Sequence, residues 1–227
     1  MPRTVDVEAH RLRKDAFLDV AQRLIQTKGY EAMSIQDVLA ELDTSRGALY
    51  HYFDSKEALL DGVVERLSDA AMLEVEPILS DPALPALQKL ERIFRSFARF
   101  KAEQRELVVA IIDAWTSDAN ALAREKVRRL TASRLGPILT RVIQQGVGEG
   151  AIACTSPRKT ARVLLHLMQG YQDVAGEQFL ARQARRITYA DVLETHAAFM
   201  EAFERILGLA PGAVTLADEA TLRLWFG

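Results

Sequence analysis

The feature that most constrains this chain is a pair of short amphipathic segments joined by a tight turn within residues 34–57. In the first segment the apolar side chains recur at the spacing of one helix face. They are Ile35, Val38, Leu39 and Leu42. Ser34 occupies the N-cap position, and Asp37 three residues later gives a pattern close to a capping box. These features predict a short helix with one buried face.

The second segment predicts another short helix, which follows the turn. Asp43 falls in the turn, where aspartate tolerates a left-handed backbone better than most residues other than glycine. Ser45 is the expected N-cap, and Leu49 and Phe53 point inward. The other faces carry Arg46, Gly47, Ala48, Tyr50, His51 and Tyr52. A short helix with small residues near its N-terminus can approach base edges in a DNA major groove, so the pair predicts a helix-turn-helix.

Residues 29–60 also carry three characteristic stretches, GY at 29–30, SRGALYHYF at 45–53 and DSKEALL at 54–60. Together they resemble the DNA-binding domain of the TetR family of bacterial transcriptional regulators, over residues 11–66. The resemblance implies a three-helix DNA-binding domain followed by a divergent helical domain that binds a ligand and dimerises. The family usually has Gly-Val where this chain has Asp43-Thr44. We expect the turn to persist and the Asp43 carboxylate to point away from DNA, because phosphates would repel it.

The outward-facing side chains and the resemblance together predict the DNA contacts. Arg46 could bond the O6 and N7 atoms of guanine or reach a phosphate as a solvated arginine. Tyr50 and Tyr52 are expected to donate to phosphates, although Tyr52 could instead be partly buried. Gln36 could simply be solvated, and the small and hydroxyl residues could serve only as helix residues or caps. The predicted set is Ser34, Gln36, Thr44, Ser45, Arg46, Gly47, Ala48, Tyr50, His51, Tyr52 and Lys56.

The charge of the chain argues against a strongly basic DNA-binding surface. Its net charge is −2, and acidic residues outnumber basic ones within residues 1–60, whereas nucleic-acid binders usually carry a basic footprint. What matters for phosphate contact is local placement. The cations in suitable places are Arg3, Arg11, Arg13 and Lys14 near the N-terminus, with Arg46 and Lys56 beside the second helix. We therefore expect modest phosphate neutralisation and an affinity that falls quickly with salt.

The rest of the chain shows helical periodicity, which predicts an all-α protein of two domains. Residues 1–54 form the expected helix-turn-helix domain, with 55–66 as the start of a connecting helix. Residues 55–227 form the expected all-helical effector-binding and dimerisation domain. Asp54 and Glu57 are expected to cap the connecting helix. The predicted helices outside the helix-turn-helix cover about 11–28, 54–78, 84–103, 105–118, 121–149, 157–182 and 189–207, with a short one ending at Trp225 and Phe226.

Broad apolar stripes on the last two long helices raise the question of a dimer interface. These stripes could instead close a core within one chain. The resemblance implies that both helices meet their symmetry mates in a four-helix bundle, which would set two recognition helices one DNA turn apart on a palindromic operator. We therefore predict a homodimer. The predicted interface residues are Leu164, Leu165, Met168, Phe179, Val192, His196, Phe199, Met200 and Phe203.

The resemblance further implies an effector pocket in the larger domain. We expect a small, mainly hydrophobic ligand of unknown identity, held by an apolar wall with a few polar groups. Aromatic residues at helical spacing could equally be core. The candidates are Met72, Phe94, Phe97, Ile111, Trp115, Leu130, Arg134, Met168, Gln169, Tyr171 and Gln172. Ligand binding is expected to shift the connecting helix and release DNA, so the predicted function is repression.

Other classes of protein find little support in the sequence. Cys154 is the only cysteine, so an internal disulfide is excluded and a reducing cytoplasmic setting is expected. The N-terminus lacks a signal core, and the longest central apolar run, Leu107–Ile112, is too short to cross a bilayer. Because no catalytic or phosphate-loop motif is found and the histidines lack metal-ligand spacing, we expect no cofactor, metal or catalysis. The two alternatives are a helical ligand carrier without DNA binding and an enzyme on a helical scaffold, of which the first is favoured.

Overall fold

The structure is a computed structural model of the 227-residue chain. It describes residues 7–115 and 121–227, and within these ranges it leaves out the side chains of residues 113–115, 122 and 123. The described residues form helices joined by turns and loops, and they contain no β-strand. The all-α fold predicted from the sequence is therefore confirmed.

Ten helices follow one another along the described residues. Their bounds are α1 Val7–Lys28, α2 Ile35–Glu41, α3 Arg46–Tyr50, α4 Lys56–Ser80, α5 Ala86–Glu103, α6 Arg105–Trp115, α7 Ala121–Gly148, α8 Pro157–Gln183, α9 Tyr189–Leu207 and α10 Glu219–Phe226. None of these helices combines the length and the apolar character that a membrane crossing requires.

The helix ends agree closely with the predicted ones, with two differences near the N-terminus. Helix α1 begins at Val7 rather than at about residue 11, so Arg11, Arg13 and Lys14 lie within it. The prediction that Asp54 caps α4 is wrong, because the Ser55 hydroxyl accepts a hydrogen bond from the Ala58 amide, 3.1 Å away. Arg3 and the predicted helical residues 116–118 lie outside the described residues.

The first of two compact units comprises the described parts of Met1–Ser68 and Gln104–Val127. Its core joins α1, α2, α3, the first half of α4, and α6. The fully buried side chains at its centre include Phe17, Ile25, Val38, Leu49, Leu59 and Leu107. Leu107 brings α6 into this core, so the unit extends beyond the helix-turn-helix domain of residues 1–54 that we predicted.

The second unit comprises Asp69–Glu103 and the residues from Arg128 to Gly227. Its core joins the second half of α4 to α5, α7, α8 and α9, and it contains Leu90, Leu139, Ile143, Leu164 and Leu207. Helix α10 packs against α8 and α9. Phe226 is buried, and the ring centroid of Trp225 lies 6.2 Å from that of Phe179.

Candidate nucleic-acid interface

Helix α2 begins with two reciprocal hydrogen bonds between Ser34 and Asp37. The Ser34 hydroxyl accepts from the Asp37 amide at 3.1 Å, and the Asp37 carboxylate accepts from the Ser34 amide at 2.8 Å. The Lys28 ammonium lies 2.9 Å from the same carboxylate. Hydrogen bonds from Lys28 and from the backbone and hydroxyl of Ser34 lower the pKa of Asp37 to about 2. The predicted capping box is therefore confirmed.

The turn between α2 and α3 reverses the chain through a left-handed residue. Asp43 has a φ of 44°, as expected for an aspartate at a position that favours glycine. The Thr44 amide donates to the Leu39 carbonyl at 3.1 Å, which closes the turn. Asp43 is exposed and Thr44 is half-buried.

Helix α3 is fixed from behind by apolar packing and at its start by a cap. The Ser45 hydroxyl accepts from the Ala48 amide at 3.3 Å. Leu49 is fully buried, and Phe53, just after the helix, is 4% exposed. The inward orientation predicted for both is confirmed.

The solvent side of α3 carries several of the residues predicted to contact DNA. Arg46, Gly47, Tyr50 and His51 are exposed, and the Arg46 guanidinium carbon lies 5.9 Å from the centre of the Tyr50 ring. Ser45 and Gln36 are also exposed, whereas Ala48 is half-buried. The face therefore combines a cation, a phenol, an imidazole and a small residue around the start of a helix.

Tyr52 and Lys56 are held more tightly than the sequence suggested. The half-buried Tyr52 ring lies 4.6 Å from the His10 ring and 5.7 Å from the Phe17 ring, centroid to centroid. This packing favours the partial burial left open for Tyr52. The Lys56 ammonium donates to the Glu31 carbonyl at 3.1 Å and lies 4.4 Å from the centre of the Tyr30 ring, so the side chain is anchored against the segment between α1 and α2.

Helix α1 supplies residues that the predicted contact set omitted. The Arg13 guanidinium donates to the Thr44 hydroxyl at 2.7 Å, and the His10 ring lies 5.7 Å from the His51 ring. Residues 10, 13, 14 and 17 are spaced as one helix face, and Phe17 on that face is buried. That spacing was the signal that could have placed His10 and Arg13 beside α3.

Comparison with known proteins shows which family this chain resembles in sequence. The sequence profile described as "Bacterial regulatory proteins, tetR family" matches residues 17–63. The regulator EthR of Mycolicibacterium smegmatis is 34% identical over 97 residues, which make up 41% of this chain and 45% of EthR. The repressor KstR2 of the same organism is 26% identical over 140 residues, 61% of this chain and 67% of KstR2. The chain belongs to the TetR family of bacterial transcriptional regulators.

The fold of this TetR-family protein also agrees with a solved structure. A TetR transcription regulator from Haloarcula marismortui matches it with a TM-score of 0.61 at 18% identity, over 86% of this chain and 96% of that one. The likeness supports the all-helical architecture across both units. The matched stretch of EthR, by contrast, spans less than half of that protein.

In this TetR-family chain the residues predicted for the dimer interface divide into two groups. Five of them are at most 7% exposed and belong to the interior of a single chain: Leu164, Leu165, Phe179, Val192 and Phe203. They have almost no surface left for a partner. The other four are half-buried: Met168, His196, Phe199 and Met200. The Tyr171 hydroxyl lies 2.9 Å from His196 Nδ1.

The residues predicted to line an effector pocket do not all fall in one unit. Ile111 packs against the core of the first unit, whereas Met72, Phe94, Phe97 and Met168 pack against the core of the second. Leu130 is half-buried, Gln172 is exposed, and the Trp115 side chain lies outside the described residues.

Two of the polar candidates for this pocket already have partners inside the second unit. Arg134 pairs with Asp69 at 2.6 Å. The Gln169 amide donates to the Arg128 carbonyl at 3.1 Å. A ligand that uses either group would have to compete with these contacts. In the described ranges no cluster of three or more histidine, cysteine or acidic residues could hold a metal ion.

Proposed function

We propose that this TetR-family regulator is a homodimeric repressor, which binds a palindromic operator through α3 and is released by a small, mainly hydrophobic effector. We propose no catalytic role, in line with the names of EthR and KstR2 as regulators. The observation that carries the proposal is the two-sided character of α3. Leu49 and Phe53 bury one side of it, while Arg46, Gly47 and Tyr50 are exposed on the other.

The exposed side of α3 suits the major groove in shape and in charge. A Cβ added at Gly47 would meet only the Ser45 hydroxyl, at 4.0 Å. Because Gly47 has no side chain, the start of the helix can approach base edges closely. Arg46 lies against the Tyr50 ring, and no carboxylate in the described ranges pairs with it. A guanidinium of this kind can bond two acceptors of a guanine or a phosphate.

The test of DNA binding is fluorescence anisotropy with the duplex immediately upstream of the protein's own gene, at two salt concentrations. We expect tighter binding than to a scrambled duplex, weakening steeply with salt. Arg46→Ala should reduce the preference for the upstream duplex. The matched control is Arg92→Ala, which removes an exposed arginine from α5 in the second unit. Equal binding of both duplexes by the wild type, at every salt concentration, would refute the proposed operator.

The proposed dimer has support in an apolar face of α8 and α9 that the core leaves uncovered. On α8, Val163 is 52% exposed, and Leu167, Gly170 and Val174 follow it at the spacing of one helix face. Nothing lies within 4 Å of a Cβ added at Gly170. On α9, Leu193 is 38% exposed. These residues extend the predicted interface beyond the half-buried members named above.

The test of this dimer is sedimentation velocity of Val163→Glu. A buried charge at a paired face costs several kcal/mol, so we expect dissociation to monomers that keep their helical circular dichroism. The matched control is Leu73→Glu, since Leu73 is 77% exposed on α4 and is proposed to face solvent. A wild-type protein that sediments as a monomer at micromolar concentration would exclude the dimer. Dissociation in both variants would show that the dimer interface does not lie on this face of α8 and α9.

The proposed release by an effector rests on the similarity to regulators of this family. The similarity to KstR2, named as a repressor, supports repression. A ligand that favours the DNA-free state must lose affinity when DNA is bound, by a coupling of typically about 1–3 kcal/mol. The test is a thermal-shift screen of hydrophobic small molecules, followed by anisotropy at saturation. A stabilising ligand that leaves operator affinity unchanged would contradict derepression.

A further inference from the structure

The cations of α1 differ in how their charges are compensated. Arg11 contacts Glu8 at 2.6 Å and Asp15 at 3.1 Å. Farther along the helix, Arg23 pairs with Glu41 and Lys28 pairs with Asp37. Arg13 and Lys14 have no carboxylate partner within the described residues. The uncompensated positive charge of α1 is therefore concentrated at these two adjacent positions.

Arg13 is held in a defined place beside the recognition helix α3. Its guanidinium donates to the Thr44 hydroxyl at 2.7 Å, and its central carbon lies 5.6 Å from the centre of the Phe17 ring. A cation within about 6 Å of a ring centroid is attracted to the ring face. Thr44 precedes Ser45, the N-cap of α3. Two contacts from two different elements thus fix the guanidinium near the entry to α3.

The guanidinium keeps most of its donors for another ligand. Arginine has five N–H donors in a planar fork, and the hydrogen bond to Thr44 uses one of them. Arg13 is exposed. The geometry of such a fork matches two oxygens of a phosphate. Lys14 adds charge nearby, with its ammonium 6.0 Å from the centre of the Phe53 ring.

We propose that Arg13 is a DNA-binding residue, whose guanidinium donates hydrogen bonds to a backbone phosphate next to the base pairs that α3 contacts. Thr44 and Phe17 hold the guanidinium in place before DNA arrives, so little side-chain freedom is lost on binding. The proposal rests on the proposed function, since it assigns a further contact to the same DNA-binding surface. It also gives Thr44 a positioning role toward Arg13, in addition to its place in the turn.

The test compares four variants by fluorescence anisotropy over a series of salt concentrations. The probes are a duplex that the wild-type protein selects from a randomised library and an unrelated duplex of the same length. For Arg13→Ala we expect about tenfold weaker binding and a slope of log affinity against log salt that is shallower by about 1 on both duplexes. Arg13→Lys should keep the slope and lose part of the affinity, because it retains the charge but not the fork.

Two further variants separate the role of Arg13 from general basicity. Arg23→Ala removes an arginine from the same helix whose charge is already paired with Glu41, and it should bind as the wild type does. Thr44→Val removes the hydroxyl that anchors Arg13, and it should weaken binding without changing the slope. Thermal unfolding of each variant checks that the fold is retained.

The outcomes that overturn the proposal are distinct from those that overturn DNA binding. If Arg13→Ala keeps the wild-type affinity and slope on the selected duplex, Arg13 does not contact phosphate, while the regulator function stands. If Arg23→Ala weakens binding as much as Arg13→Ala does, the assignment to Arg13 is also wrong. A wild-type protein without salt-dependent affinity for any duplex would refute the proposed function itself.

Discussion

Gly62 on α4 lies directly against Leu18 on α1, so closely that a Cβ added to the glycine would be 2.7 Å from Leu18 Cδ2. The same Cβ would be 3.1 Å from Cε1 of Phe53, which follows α3. Real Cβ atoms do not approach other heavy atoms as closely as the first of these distances, so only glycine lets α4 lie here without a shift. The contact links the base of the recognition helix to α1 and α4 within the first unit.

We expect Gly62→Ala to destabilise the first unit by about 1–3 kcal/mol, the usual cost of overpacking a well-filled core. DNA affinity should fall as well, because Phe53 supports α3. The free energy of unfolding is measured by urea denaturation. The matched control is Gly148→Ala, where nothing lies within 4 Å of the added Cβ, and its effect should stay within about 0.5 kcal/mol. A Gly62→Ala protein as stable as the wild type would show that the Leu18 side chain can move aside at little cost in free energy.

Two equivalent capping boxes, one in each unit, allow the structural role of Ser34 to be separated from DNA contact. The Ser34 hydroxyl donates to the Asp37 carboxylate at 2.8 Å, and the Thr188 hydroxyl donates to Asp191 at the same distance. We expect Ser34→Ala and Thr188→Ala each to cost about 1 kcal/mol of stability. A neutral hydroxyl that touches phosphate contributes a hydrogen bond and no charge, so its loss should lower DNA affinity and leave the salt dependence unchanged. Anisotropy of both variants therefore tests the predicted contact at Ser34, and equal DNA affinities would exclude it.

The Asp37 carboxylate should make the stability of the first unit depend on acid pH. Its pKa is lowered to about 2, first by the hydrogen bond from Lys28 and then by those from Ser34. A pKa lower in the folded than in the unfolded state contributes stability that is fully present above about pH 4 and is lost as the pH falls through about 2. Asp37→Asn should be less stable at neutral pH and should lose less stability on acidification. Acid titration followed by circular dichroism measures this, and parallel curves for both proteins would contradict the expectation.

The helix-turn-helix could be predicted from the sequence because the interactions that define it are local. The bonds of Ser34 to Asp37 and of Ser45 to Ala48 each span three residues, so their chemistry is visible in the order of the residues. The left-handed Asp43 is equally local, since the conformation belongs to one residue. The outward face of α3 followed from the spacing of Leu49 and Phe53.

The placement of α6 and the proposed dimer interface could not be predicted in this way. Leu107 joins the first unit by packing with residues distant in sequence, and an apolar run does not specify which core it enters. On α8, periodicity identified Leu164 and Phe179 as one apolar stripe, but both are buried within one chain. Val163, one residue earlier, is 52% exposed. A stripe found from spacing alone does not distinguish a face buried by folding from a face left for a partner.

The left-handed turn residue should respond to substitution in both stability and DNA affinity. Asp43 has a φ of 44°, which glycine adopts without cost. We expect Asp43→Gly to stabilise the protein by up to about 1 kcal/mol and to raise DNA affinity at low salt, because a negative charge next to the proposed DNA-binding surface is lost. Asp43→Asn should raise affinity alone, since asparagine tolerates the same conformation.

Arg185 supplies the control for this prediction. Its φ is 54°, and it lies in the second unit, so Arg185→Gly should gain stability without any change in DNA affinity. Urea denaturation and anisotropy at two salt concentrations measure both effects. If Asp43→Asn binds DNA no better than the wild type at low salt, the carboxylate already lies too far from the phosphates to repel them.

The contact between Tyr171 and His196 should make the second unit sensitive to mildly acidic pH. Tyr171 OH lies 2.9 Å from His196 Nδ1, and burial raises the pKa of Tyr171 to about 12. Burial also lowers the pKa of His196, an effect that a hydrogen bond with the Ala217 backbone partly offsets. Because the imidazole then accepts a proton more readily in the unfolded state, stability is fully present above about pH 6.5 and falls as the pH drops toward the folded pKa.

Substitution of this histidine separates its titration from that of the other imidazoles. Urea denaturation between about pH 5 and pH 8 should show a loss of stability on acidification that is smaller in His196→Gln than in the wild type. His166→Gln is the matched control, since it removes an exposed histidine from the same pair of helices. Tyr171→Phe should lower stability at pH 8, because the hydroxyl that contacts His196 is removed. If the stability of His196→Gln falls as steeply on acidification as that of the wild type, then His196 is protonated as readily in the folded state as in the unfolded state.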